Sequence, residues 1–159
     1  MIATVAPKGA SIEDMTMKDA NRIDIAAGLL RAGLGAMFIA HALLKYFVFT
    51  LPGTAQFFES IGLPGVLGYA TFAAELVGGV LLILGVYTRQ VAWALVPVLV
   101  GATWAHASNG WLFTAPKGGW EYPAFLALVA VVVGTLGGGR YSLLGQPDDH
   151  GSMSRLQRA

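Results

Sequence analysis

From Val66 to Tyr87 the chain reads VLGYATFAAELVGGVLLILGVY, with Glu75 as its one charged residue. A helix needs about 20 mostly apolar residues to cross a hydrocarbon core roughly 30 Å thick, so this stretch predicts a membrane span. Working outward, Ile25–Phe49, Val91–Ser108 and Tyr122–Gly138 have the same character. The third of the four spans in chain order is the shortest. It carries Pro97 near its middle, where a kink is expected, and its far end can run on through Trp111.

The connections complete the architecture. LPGTAQFFESIGLPG, between the first two spans, is too short to cross and gathers Phe57, Phe58 and Ile61 on one side of a helix, as an interfacial or re-entrant segment would. A tight turn is expected at Thr88-Arg89-Gln90. The stretch from Asn109 to Glu121 has Gly110, Pro116, Gly118 and Gly119 as breakers, with Trp111, Phe113 and Trp120 as interface aromatics. The expected fold is therefore an all-α integral membrane protein, a four-transmembrane-helix bundle with a short interfacial or re-entrant helix between the first two spans. Its expected parts are a polar tail over residues 1–22, a membrane domain over 23–140 and a mobile tail over 141–159.

Composition agrees: 55% of the residues are hydrophobic and only 12% charged, a balance outside the ordinary soluble range. A net charge of +1 gives no basic surface for nucleic acid. Cysteine is absent, which removes disulfides, thiolate nucleophiles and iron–sulfur ligation. The polar start, with Lys8, Glu13, Asp14, Lys18, Asp19 and Arg22, has no apolar core before a cleavage site and does not read as a signal peptide. Lys8, Lys18, Arg22, Arg89, Arg140, Arg155 and Arg158 fall on one side, and the other has Lys117, with Lys45 at a helix end. The positive-inside rule then predicts both termini in the cytoplasm of a cell whose inner membrane holds the bundle.

Small residues recur at Gly28, Ala32, Ala36 and Ala40 of the first span, and Gly78, Gly79, Gly134 and Gly138 mark the second and fourth; these are expected at close helix contacts. The ionisable residues carry more information. Arg31, His41 and Lys45 lie in the first span, Glu75 in the second, His106 in the third, and Glu121 opens the fourth. A charge near the bilayer centre costs at least about 2.5–3.5 kcal/mol, so each needs a partner or a polar cavity. His41 and Lys45 are one turn apart on one face, with Arg31 within about 80° of both. At a rise of 1.5 Å per residue, His41, Glu75 and His106 fall within roughly 8–14 Å of the outer ends of their spans, while Arg31 lies nearer the other side. The expectation is a polar pocket of Arg31, His41, Lys45, Glu75, His106 and Glu121 in the outer half, roofed by Gln56 and Glu59 and walled by Trp104, Trp111, Trp120 and Tyr122. A purely structural alternative stays open, in which Lys45–Glu121 and Arg31–Glu75 are buried pairs that fix helix register. His41 and His106 as axial haem ligands are disfavoured, and no metal-ligand spacing appears.

In order and spacing, Arg31 with Gly33 and Gly35, His41 with Lys45, Gln56, Gly62-Leu63-Pro64, Glu75 with Gly78-Gly79, Leu81-Leu82-Ile83-Leu84-Gly85, Thr88-Arg89, His106, Gly119 with Glu121-Tyr122, and Gly137-Gly138-Gly139 resemble the DoxX family of small bacterial membrane proteins. The resemblance runs from about Arg31 to Leu143. It implies a membrane bundle associated with oxidoreductase systems; related DoxD-type proteins are subunits of a thiosulfate:quinone oxidoreductase. Without cysteine, this chain departs from thiol-based sulfur transfer.

These readings lead to a membrane subunit of a redox system whose pocket takes a quinone-type acceptor, with a protein partner as electron donor. His41 or His106 would bond a carbonyl, and Glu75 or Glu121 would exchange protons. A non-catalytic scaffold for an oxidoreductase complex is the alternative; a small-solute transporter is a third reading, and homo-oligomerisation is open.

Overall fold

A computed structural model describes residues 12–139 and 141–144, with side chains from Met17 onward. Five α-helices follow one another: α1 (Ile12–Phe47), α2 (Leu51–Ser60), α3 (Val66–Leu84), α4 (Thr88–His106) and α5 (Glu121–Leu136). No strand occurs among the described residues. Three helical stretches, Met17–Phe47, Val66–Leu84 and Thr88–Asn109, are long and apolar enough to cross a membrane. The fourth expected span, α5, is apolar but shorter, 16 residues or about 24 Å of helix. Large apolar side chains such as Leu29, Val77, Val100 and Phe125 point outward, as they must where the surrounding solvent is lipid.

Helix α1 starts well before the expected span, so residues 12–22 of the expected tail are helical. The segment has no glycine or proline before Gly28 and is rich in good helix formers, Glu13, Met15, Met17, Lys18 and Ala20 among them. The turn between α3 and α4 also falls earlier than expected. Gly85 adopts φ +70° and Val86 N–H returns to Leu81 O at 2.9 Å, a left-handed C-cap that ends α3; Thr88-Arg89-Gln90 already belong to α4. Pro97 sits inside α4, which continues through it to His106. The expected mobile tail begins at Tyr141, yet Leu143 and Leu144 donate backbone N–H bonds to Leu84 O and Gly85 O, so this stretch is attached to the bundle. Residues 1–11, Arg140 and 145–159 lie outside the described residues.

Packing is pairwise, α1 on α3 and α4 on α5, with α3–α4 and α1–α5 contacts joining the pairs and α2 resting on α3. Leu34, Phe38, Leu82, Leu95, Leu99 and Val133 form the shared core. The closest helix approach is made by Gly35 and Gly79. A Cβ on either would lie 2.7–2.8 Å from the other's carbonyl oxygen, so the two backbones touch and no side chain fits between them. The alanines expected in that role, Ala32, Ala36 and Ala40, face outward. Gly78 and Gly134 receive Leu95 and the Trp93 ring, as small residues at contacts should.

Candidate functional site

Lys45 Nζ donates to both oxygens of Glu75, at 2.8 Å to Oε1 and 2.7 Å to Oε2. The two side chains are 17% and 8% exposed, so this is a largely dehydrated ion pair joining α1 to α3. An ammonium has three N–H donors. Its third finds no protein acceptor among the described residues.

His41, one turn before Lys45, lies within electrostatic reach of Glu75. Its Nδ1 is 2.8 Å from Met37 O. A carbonyl oxygen can only accept, so Nδ1 carries the proton, and in the neutral ring Nε2 is left as an acceptor. The imidazole stacks on Tyr122 of α5, with ring centroids 5.7 Å apart and planes 22° from parallel. The Tyr122 hydroxyl is buried and has no hydrogen-bond partner among the described residues. Such a group costs about 1–3 kcal/mol unless water or a ligand satisfies it. Three helices thus bring together a charge pair, an imidazole acceptor and an unpartnered phenol.

The other expected members lie elsewhere. Glu121 accepts the Phe113 N–H at 2.8 Å, and its own N–H bonds Trp111 O; it shapes the loop before α5. His106 Nδ1 donates to Ala102 O, and its ring lies beside Gly118. Asn109 holds the same loop through Lys117 O and Gly118 O, at 3.2 and 2.9 Å. Trp111 and Trp120 meet edge to face across it, 4.4 Å between centroids. Gly119 is crowded against the Trp111 and Leu112 carbonyls so closely that no Cβ fits.

Two open, mostly apolar grooves flank the start of α5. One, about 410 Å³, runs between Trp104 and Trp120; the other, about 510 Å³, is bordered by Trp111, Phe113, Glu121, Tyr122 and Phe125. The four expected wall residues are therefore shared between two clefts, and Tyr122 links the second cleft to the His41 ring. Gln56 and Glu59 are exposed on α2, where the Glu59 carboxylate folds over Gly65 at the start of α3.

Arg31 is separate again. It is 5% exposed, and all four of its hydrogen bonds go to backbone carbonyls: Leu82, Ile83, Gly138 and Tyr141. The structural pairing differs from both pairs expected from the sequence, since Lys45 takes Glu75 and leaves Arg31 to the backbone. The open hydroxyl of Tyr122 is the feature that residue types alone do not disclose; only its place one residue after Glu121, at the start of an apolar span, hints at it.

No solved structure matches the chain. The protein named "Putative oxidoreductase CatD" from Bacillus subtilis (strain 168) is 43% identical over 79 residues, which cover 50% of this chain and 58% of that protein. The match thus spans less than two thirds of the relative's own length. The DoxX family model matches residues 26–108, a stretch that holds Arg31, His41, Lys45, Glu75 and His106 and stops before Glu121 and Tyr122. The chain belongs to the DoxX family, and its buried charge pair lies inside the matched region.

Proposed function

We propose that this protein is a membrane subunit of a redox system and that the Lys45–Glu75, His41 and Tyr122 cluster receives a quinone-type acceptor. The observation that carries the reading is the unpartnered Tyr122 hydroxyl stacked on His41 beside a dehydrated ion pair. The phenol O–H and the third Lys45 N–H are donors suited to a carbonyl oxygen. His41 Nε2 is an acceptor suited to the hydroxyl that the carbonyl becomes on reduction. Glu75 is the proton reservoir of the pair, held close to Lys45 and away from bulk water. Apolar grooves beside Tyr122 suit an isoprenoid-like tail arriving from the bilayer. Electrons come from a partner protein, and the name of the Bacillus relative supports that redox setting.

The reading includes a topology. Helix α5 completes a fourth span with help from the flanking loop, and α2 lies at the outer interface. Both termini face the cytoplasm of a cell whose inner membrane holds the bundle. Glu121 and His106 organise the outer loop and the grooves, and Arg31 acts outside the ligand site.

The test is an oxidised-minus-reduced spectrum of gently purified protein, repeated after adding back a short-tailed ubiquinone or menaquinone. Wild type should bind the added quinone, and Glu75→Gln and Tyr122→Phe should each weaken binding at least about tenfold, the loss of one hydrogen bond to a buried polar group. Equal binding by wild type and both variants defeats the pocket. If a partner co-purifies and stays bound while no quinone ever binds wild type, the scaffold reading replaces this one.

A further inference from the structure

The segment after α5 and the Arg31 guanidinium form a second arrangement at the opposite end of the bundle from Lys45, with Arg31 roughly 21 Å from Lys45 along α1 at 1.5 Å per residue. Arg31 Nη1 donates to Leu82 O and Ile83 O at 2.7 and 2.6 Å, Nε to Gly138 O at 3.1 Å and Nη2 to Tyr141 O at 2.7 Å. No carboxylate among the described residues takes part. The cation is held by the negative C-terminal end of α3 on one side and by the segment following α5 on the other.

That segment touches every long helix. Gly137 lies against the Arg89 side chain at the start of α4, Gly138 against Thr88, and Gly139 against the Asp24 carbonyl of α1. Ser142 packs on Gly85 at the end of α3, where Leu143 and Leu144 add their backbone bonds at 3.1 and 3.4 Å.

Two features bear on how firmly this seat is held. Gly137 and Gly139 have φ of +83° and +66°, conformations open to glycine, so the turn out of α5 rests on two residues that can also adopt other backbone angles. Beneath it, Thr88 Oγ1 is buried with no partner among the described residues, and opening would hydrate it. The guanidinium holds the segment down while the orphaned hydroxyl opposes closure.

We propose that Gly137–Gly139 and Tyr141–Leu144 form a hinged strap across this end of the bundle, with Arg31 as its latch. The strap stands apart from the quinone reading and survives its failure. Release uncovers the junction of α1, α3 and α4, and the latch sets how often that happens.

The chain has no cysteine, so Ser142→Cys supplies a unique thiol. The rate of its reaction with a soluble maleimide, in protein held in nanodiscs, reports opening. Arg31→Gln should raise that rate about tenfold or more as the open population grows. Gly139→Ala should do likewise with Arg31 intact, because its Cβ would meet Asp24 O at 2.8 Å. Thr88→Val, which removes the orphaned hydroxyl, should slow the reaction. Ala92→Cys, fully buried in the core, is the control for general unfolding and should stay protected throughout. Equal Ser142→Cys rates with and without the strap substitutions, or labelling in the Arg31 protein as fast as in denaturant, overturn the strap. Should Arg31→Gln also expose Ala92→Cys, Gly139→Ala decides alone.

Discussion

Helix α1 carries a buried arginine and a partly buried lysine, and the chain treats them differently. Lys45 meets a side-chain carboxylate from α3, with an imidazole and a phenol close by. Among the described residues, Arg31 meets only carbonyl oxygens of the backbone. A carboxylate can take a proton and let its partner go, whereas a carbonyl cannot, so the Lys45 end has chemistry that can change state and the Arg31 end has geometry that can open or close. The planar guanidinium suits the second task, because its five donors reach several acceptors at once; the ammonium, a compact point charge, suits the first.

The largest expected effects come from breaking each cation's partnership. Glu75→Leu strands Lys45 without a counter-charge and should destabilise the fold by about 3–5 kcal/mol, whereas the double variant Lys45→Met, Glu75→Leu should recover most of that loss. Thermal unfolding in detergent measures both; a double variant as unstable as the single one would show that the pair matters through packing and not charge. At the other end, Arg31→Lys should rescue little relative to Arg31→Met, because one nitrogen cannot span four carbonyls from two segments. Full rescue by lysine would mean that charge alone holds α3 to the strap.

Next in size is the crossing between the two ends. Gly79→Ala places a Cβ 2.8 Å from Gly35 O, where backbone cannot give way, and should cost about 1–3 kcal/mol as α1 and α3 move apart. Gly28→Ala, with nothing within 4 Å, should cost nothing measurable. If the two behave alike, the α1–α3 contact does not lie where Gly35 and Gly79 place it.

Helix positions were the most legible feature, because apolar runs of membrane-crossing length have few other readings. VLGYATFAAELVGGVLLIL is helical from its first residue to its last. Partner choice was less legible. Depth along each span is readable from 1.5 Å per residue, but whether Glu75 meets Arg31 or Lys45 depends on helix rotation and stagger, which no periodicity records. Gly35 rather than Ala32 or Ala36 faces α3 for the same reason. The acceptors of Arg31 are backbone atoms, present at every position, so they leave no mark in residue types at all. The attachment of Tyr141–Leu144 was hidden in the same way, since Leu84 O and Gly85 O are its partners.

A small expected change in stability gives the sharpest separation of the two ends. Tyr122→Phe removes only the hydroxyl that has no partner, and keeps the ring stacked on His41. Deleting an unsatisfied buried oxygen should leave stability unchanged or raise it by up to about 1 kcal/mol. A purely structural cluster therefore predicts a variant at least as good as wild type in every assay. A ligand site predicts unchanged or greater stability together with weaker quinone binding, because the donor that was idle in the empty protein is the one the carbonyl uses. Strap opening, read by the Ser142 thiol beyond the far end of α5, about 21 Å of helix from Tyr122 to Leu136, should not change. Loss of stability in Tyr122→Phe would mean that the hydroxyl already has a partner, such as a bound water, and would remove the observation on which the ligand site rests.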